Sequence, residues 1–299
     1  MNLDRDHLAT LRAVVDAGTF DAAAAALSVT PSAVSQRIKA LEQQLGRVLV
    51  ERSKPVRATE SGEVLLRLAR EIALLEADAA AALRLDDSDE GFTSVPLAVN
   101  ADSLTSWFLP AIASVCTERR IVVDIHREDQ DRTAELLASG RVMAAVTSRA
   151  DPVAGCSSTP LGVLVYHPAA SRAFAERWFR DAADAASFAR APVVDFDHDD
   201  ELQTRFLRSV SRRVLDPPRH FVSGSSDFLQ AIALGLGWGM LLESQLAGAP
   251  PGAFVELAPG GPGVAVPLYW QQWNLRSPAL DALAAAVVAS ARASLRSRP

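Results

Sequence analysis

Two cysteines, Cys116 and Cys156, among 299 residues are too few for a disulfide scaffold, and neither has neighbours at metal-ligand spacing. Nowhere do about 18 apolar residues run uninterrupted, so the sequence offers no membrane-spanning helix. The start, MNLDRDHLAT, lacks the basic segment followed by an apolar one that marks a secretory signal. Internal repeats and low-complexity tails are also missing. These absences lead us to expect a soluble cytoplasmic protein without disulfides, metal or membrane contact. At this length they also point to more than one domain.

A formal charge of −6 argues at first against nucleic acid. The distribution of that charge points the other way. Residues 1–85 balance eleven Lys and Arg against eleven Asp and Glu, so the whole excess, nineteen against twenty-five, lies in residues 86–299. Within residues 31–57 six basic side chains face two acidic ones, a local basic face on an acidic chain.

That face coincides with a helical pattern. In DRDHLATLRAVVDAG, Leu8, Leu11, Val14 and Val15 recur at helical spacing, with Gly18 as a stop. TFDAAAAALSV reads as a short alanine-rich helix whose small side chains permit close approach. In VTPSAVSQRIKALEQQLG, Thr30 is a natural N-cap and Pro31 suits the first helical position. Val34, Ile38, Leu41 and Leu45 form the buried stripe, and Gly46 closes the helix. Three short helices with a tight connection before the third make a helix-turn-helix. Val48–Arg52 and Val56–Ala58 then pair as a small wing around Ser53–Pro55, and Thr59 caps the next helix.

That helix is expected over residues 60–85, about 39 Å long. Leu65, Leu68, Ile72, Leu75, Ala79 and Ala82 form a heptad-like seam along it. Charged faces beside the seam favour a second copy of the helix as its partner over the chain's own C-terminal domain. The polar stretch LDDSDEGFTS follows as a linker. Beyond it, VPLAVN, RIVVDIHR, RVMAAVTS, LGVLVYH, PVVDF and HFVSG read as strands separated by helices, an alternation that predicts α/β layers. The expected organisation is a winged helix-turn-helix domain (1–59), a dimerisation helix (60–85) and a hinge (86–91). Two effector lobes (92–164 and 165–268) follow, with a return to the first lobe and a closing helix (269–299).

The segment FDAAAAALSVTPSAVSQRIKALEQQLGRVLVERSKPVRATESGEVLLRLAR resembles the N-terminal module of LysR-type transcriptional regulators. The two-lobed α/β continuation, periplasmic-binding-protein-like in architecture, extends the likeness over almost the whole chain. Val50 and Ala58 depart from the Phe and Leu common at those positions, which touches the wing packing. NADSLTSWFLPA, AAVTS, GSSDFLQAIALGLGWGML and PLYWQQW are similar to the branch that senses lysine and arginine. The resemblance implies a cytoplasmic, promoter-binding, non-enzymatic regulator of basic-amino-acid export or metabolism. It further implies dimers assembled into tetramers, possible contact with the transcription machinery, and no cofactor beyond the effector. Regulators answering to another metabolite, or a binding protein or enzyme fused to a DNA-binding domain, are the competing classes.

In such a regulator the third helix enters the major groove. Ser32, Ser35, Gln36 and Lys39 lie along its outward surface. Gln36 has the paired donor and acceptor that adenine requires, and Ser32 and Arg37 are placed for phosphate. Arg52, Lys54 and Arg57 on the wing are expected on the DNA backbone or minor groove. For the effector, Asp102 offers a partner to an α-ammonium, while Ser103, Thr105 and Ser106 at a helix start receive a carboxylate. Glu128 or Asp227 across the cleft takes the distal cation, with Thr147 and Ser226 as further polar contacts. Each of these side chains also has a plain reading as a helix cap or a surface group. His126 and His198 belong to no convergent catalytic or metal set. Trp107, Trp238, Trp270 and Trp273 are expected to pack the lobes. GLGWGML is a helix-to-strand passage, not a dinucleotide fingerprint.

Overall fold

A computed structural model describes residues 3–83, 92–127, 130–180, 182–261 and 263–297. The predicted hinge at 86–91 and Glu128 therefore lie outside the described residues, as does the side chain of Ala82.

The chain opens with α1 (Arg5–Ala17), α2 (Phe20–Ala26) and α3 (Pro31–Leu45), followed by the wing strands β1 (Val50–Glu51) and β2 (Arg57–Ala58). Local signals account for these boundaries. The Thr30 hydroxyl accepts the Ala33 N–H at 3.2 Å, Pro31 opens α3, and Gly46 closes it in the left-handed region at φ 65°. Val34, Ile38 and Leu41 are fully buried with Leu8, Leu11 and Val14 of α1 and Ala23 and Ala24 of α2 in one apolar core. The wing pairs antiparallel, Val50 opposite Ala58 and Glu51 opposite Arg57. It is held to α3 by the Glu42 carboxylate, which accepts the Leu49 N–H at 2.9 Å, and to the α1–α2 turn by Val56 N–H on Gly18 O at 2.8 Å. Thr59 caps the next helix through the Gly62 N–H. A Cβ on Gly62 would stand 2.0 Å from the Leu49 carbonyl oxygen, so the wing reaches α4 only because residue 62 has no side chain.

The long helix α4 runs over Glu60–Leu83, 24 residues. It does not project freely. Leu65, Leu66 and Ala69 are buried in the N-terminal core, with Leu68 and Ile72 packed against it. Arg70 pairs with Asp16, and Arg5 with Glu76 at 2.6 Å. Farther along, Leu74 is buried among the residues of the C-terminal core. The first half of the expected seam is thus used within the chain, leaving Leu75 and Ala79 exposed together with Val64. Contrary to the expectation from its charged flanks, α4 also packs on its own C-terminal domain.

That domain begins with β3 (Thr93–Val99), α5 (Ala101–Ser103), a π-helical segment (Leu104–Phe108) and α6 (Leu109–Glu118). It continues through β4 (Ile121–Arg127), α7 (Gln130–Ala138), β5 (Ala144–Thr147), β6 (Cys156–Ser171), α8 (Arg172–Trp178), α9 (Ala185–Arg190), β7 (Val193–Asp195) and α10 (Leu202–Val210). The remaining elements are β8 (Arg219–Phe221), α11 (Ser225–Ala233), β9 (Gly239–Leu242), α12 (Glu243–Gly248), β10 (Phe254–Glu256), β11 (Val264–Trp273) and α13 (Pro278–Ser294).

The main sheet has the order β10-β6-β11-β5-β3-β4, with β9 also on β6. β3 is parallel to both β4 and β5, while β11 returns antiparallel between β5 and β6. β6 pairs with β11 from Cys156 to Tyr166, then with β9 and β10 from Tyr166 to Ser171. β6 and β11 therefore thread both lobes, and the expected boundaries at 164/165 and 268/269 fall inside them. The parallel pair β7–β8 joins through Val194 N–H on Trp238 O at 2.8 Å. Trp107, Trp238, Trp270 and Trp273 are all buried in the core, and GLGWGML spans the passage from α11 to β9.

Candidate DNA-binding face and interlobe cavity

On α3 the stripe Val34, Ile38, Leu41 turns inward, which leaves Ser32, Gln36 and Lys39 exposed and Ser35 half-exposed on the outer surface. Arg52, Lys54 and Arg57 are exposed on the wing, and the Arg52 guanidinium lies 5.3 Å from the centre of the Phe20 ring. Arg37 faces elsewhere. Its guanidinium stands 3.3 Å from the Asp6 carboxylate and donates to the Thr10 hydroxyl at 3.4 Å, so it ties α3 to α1.

Between the lobes lies a cavity of about 710 Å³, within the range for small-molecule sites. From the first lobe it is lined by Asn100, Asp102, Thr147 and Ser148, and from the second by the loop Phe196–Glu201, Gln203 and Ser225. Tyr166, on the through-running strand β6, joins the two sides: its hydroxyl donates to Asp102 Oδ2 at 2.6 Å. Burial pushes the Asp102 carboxyl above its ordinary value; the Tyr166 hydrogen bond opposes this, and the negative charge of Asp200 adds to it. The Tyr166 phenol is pushed well up by burial and by the Asp102 charge.

Electrostatically the cavity is one-sided. Among its described lining residues, Asp102, Asp197, Asp199, Asp200 and Glu201 face a single guanidinium, that of Arg205, which donates to Ala265 O at 3.2 Å. The acidic loop is built by its own carboxylates. Asp200 accepts the N–H groups of Phe196 and Leu202 at 3.1 and 3.0 Å, and Asp197 accepts that of Asp199 at 2.9 Å. Gln203 is buried, its amide nitrogen donating to Val194 O at 3.0 Å, while its amide oxygen has no protein partner. The Asn100 side-chain oxygen and the Ser225 hydroxyl are likewise unpartnered. A compact cation with hydrogen-bond donors is the complement of such a wall. Among the described residues no group of three or more His, Cys, Asp and Glu side chains is arranged to hold a metal ion.

Of the expected effector contacts, the structure brings Asp102 and Thr147 to the cavity wall. The others diverge for local reasons. Ser103 is buried with its hydroxyl turned into the fold, and Thr105 and Ser106 donate back to carbonyls of their own helical turn. Thr105 and Ser106 lie in the π-helical segment, Ser103 just before it, and none of the three lines the cavity. Ser226 and Asp227 are exposed outside the cavity, which the neighbouring Ser225 lines instead. The acidic loop at 197–201, Gln203 and Tyr166 lie outside the expected contacts. The run of acids in DFDHDDE is a visible signal in the sequence, but nothing local aims it at Asp102. Of the two histidines, His198 lines the cavity with its ring tilted against that of Phe221, centres 3.9 Å apart, whereas His126 sits beside Asp124.

A winged helix-turn-helix joined by a long helix to a two-lobed domain with a ligand-sized cleft is the architecture of a DNA-binding regulator that answers to a small molecule. Residues 5–63 match the bacterial regulatory helix-turn-helix protein model of the lysR family, and residues 93–292 match the LysR substrate binding domain. The chain belongs to the LysR family. It is 46% identical over 291 residues to the HTH-type transcriptional regulator LysG of Mycobacterium tuberculosis, covering 97% of this chain and 94% of that one. To the lysine export transcriptional regulatory protein LysG of Corynebacterium efficiens it is 44% identical over 300 residues, covering 97% and 98%. The structure is similar to that of full-length LysG of Corynebacterium glutamicum with bound effector Arg. The TM-score there is 0.77 at 37% identity, covering 98% of this chain and 100% of that one.

Proposed function

We propose that this LysR-family regulator takes lysine or arginine in its interlobe cavity, and that the bound amino acid alters how it grips promoter DNA. The observation that carries the reading is the acidic wall on both sides of one cavity, Asp102 from one lobe and residues 197–201 from the other. A basic amino acid carries an ammonium beside its carboxylate at one end of a flexible chain and a second cation at the other, so Asp102 takes the α-ammonium and the 197–201 loop the distal cation. Relatives named for lysine export, and a similar structure with arginine bound, support the same chemistry. The ligand shifts the balance between two arrangements only to the extent that it binds one of them more tightly.

In this reading Gln36, Ser32, Ser35 and Lys39 approach base edges and phosphates, with Arg52, Lys54 and Arg57 on the backbone. Arg37 serves to hold α3 in place. Self-association as a dimer and then a tetramer uses the part of α4 left open, Leu75 and Ala79 with Val64. The role is regulatory rather than catalytic, exercised on the chromosome and hence in the cytoplasm, and its targets are genes for basic-amino-acid export or metabolism. The test is operator binding followed by fluorescence anisotropy, with lysine, arginine, norleucine, citrulline and glutamate added in turn. A response confined to lysine and arginine supports the reading. A response to the neutral or acidic compounds alone rejects it.

A further inference from the structure

Arg67, on α4, reaches across to the first effector lobe. Its guanidinium donates to the carbonyls of Ala154 and Gly155 at 3.0 and 3.3 Å, pairs with Glu71 at 3.1 Å, and lies 5.2 Å from the centre of the Trp273 ring. The helix sits close because the facing residues lack side chains. A Cβ on Gly140 would stand 2.9 Å from Arg67 Cα, and one on Gly155 would stand 2.4 Å from Arg67 Nη2.

The segment it grips leads straight to the cavity. β5 ends at Thr147, which lines the cavity with Ser148, and β6 starts at Cys156; residues 148–155 span the distance between them. A connection of this kind transmits displacement only if it is not slack, and one buried side chain removes the slack. The Gln271 amide nitrogen donates to the carbonyls of Arg149 and Asp151, both at 3.0 Å, while its oxygen accepts the Val153 N–H at 3.0 Å. The far end is closed by Cys156 N–H on Val153 O at 2.8 Å and Asn274 N–H on Gly155 O at 3.0 Å. Gln271 is fully buried and stands two residues from Trp273, on which Arg67 rests.

We propose that Arg67 and Gln271 are positioning residues that carry the ligand state of the cavity to the linker helix, through the pinned segment Thr147–Gly155. A ligand that shifts Thr147 and Ser148 thereby shifts the carbonyls that hold Arg67, and with them α4 and the DNA-binding domain fixed to it by Arg70–Asp16 and Arg5–Glu76. The inference rests on the interlobe ligand reading, but concerns transmission rather than recognition.

The test measures reciprocal coupling in the full-length protein. Arginine affinity is determined by calorimetry with and without a duplex selected by the wild-type protein from a random pool. Two sites in communication change each other's affinity by about 5- to 150-fold. Arg67→Ala is expected to bring that ratio to within twofold of one, while arginine affinity without DNA and DNA affinity without arginine stay within threefold of wild type. Arg67→Lys, which keeps the charge and can satisfy one carbonyl, is expected to restore part of the ratio. A wild-type ratio in Arg67→Ala overturns the proposal. If arginine fails to bind the wild type, the ligand reading falls, and transmission is judged from the DNA side by amide hydrogen exchange. DNA-induced changes across Thr147–Gly155 that vanish in Arg67→Ala support it; changes that persist overturn it.

Discussion

Replacing Asp102 by Asn keeps the shape of the side chain, leaves an oxygen for the Tyr166 hydroxyl, and removes only the charge. Two consequences of opposite sign follow. Burial raises the Asp102 pKa above its ordinary value of 3.8, so in the unliganded protein the ionised carboxylate is a burden. A carboxyl whose folded pKa exceeds its unfolded one favours the fold below the unfolded pKa, and that contribution is lost as pH rises through the folded pKa. At neutral pH the unliganded Asp102→Asn protein should therefore melt at the wild-type temperature or higher. Arginine binding should move the other way. Removing one partner of a desolvated charge pair costs about 2–5 kcal/mol, or roughly 30- to several-thousand-fold in Kd at about 1.4 kcal/mol per tenfold. Calorimetry at neutral pH beside a thermal melt reads both. An arginine affinity within threefold of wild type, or a melt several degrees lower, would refute the assignment of Asp102 as a ligand-facing charge held at the expense of stability.

Tyr166→Phe removes the hydrogen bond that holds the Asp102 pKa down. Arginine affinity, which falls as Asp102 takes up a proton on acidification, should then begin to fall at a higher pH than in wild type; an unmoved midpoint in the pH titration counts against the pair. Gln36→Ala should lose about 1–3 kcal/mol of preference for the selected duplex while binding to unrelated DNA is kept, and equal loss on both removes Gln36 as a base reader. Gly62→Ala would ordinarily stabilise a helix by up to about 1 kcal/mol. Because the new Cβ would stand 2.0 Å from the Leu49 carbonyl oxygen, it should instead lower the melting temperature of the DNA-binding domain, and a raised one would show that the wing yields.

What is legible in the sequence is local. Thr30, Pro31 and Gly46 set the ends of α3 by hydrogen bonds and dihedrals within a few residues, so the helix and its outward face can be read directly. Asp102 follows β3 at the start of a helix, a position that local pattern also reveals. The opposite wall is not legible, because residues 197–201 meet Asp102 only after β6 and β11 have passed between the lobes. Ser225 and Ser226 differ by one step of helix rotation, which sequence alone does not resolve. The hydroxyls of Thr105 and Ser106 donate to the carbonyls of Ala101 and Asp102, a local competition that the sequence does not mark. Leu65 has the spacing of a dimer seam, but its apolar side chain finds a partner inside the chain first.

The central claim is that the interlobe cavity selects a ligand by its positive charge. Citrulline matches arginine in length and shape but carries a neutral urea in place of the guanidinium. Calorimetric titration of the full-length protein with each compound under identical conditions tests the claim most directly. Asp197 and Asp200 are half-exposed and Asp199 and Glu201 exposed, so the acidic wall predicts that arginine binds more tightly by up to roughly fivefold, as expected for a solvated charge pair of about 1 kcal/mol. Equal affinities for the two would contradict it.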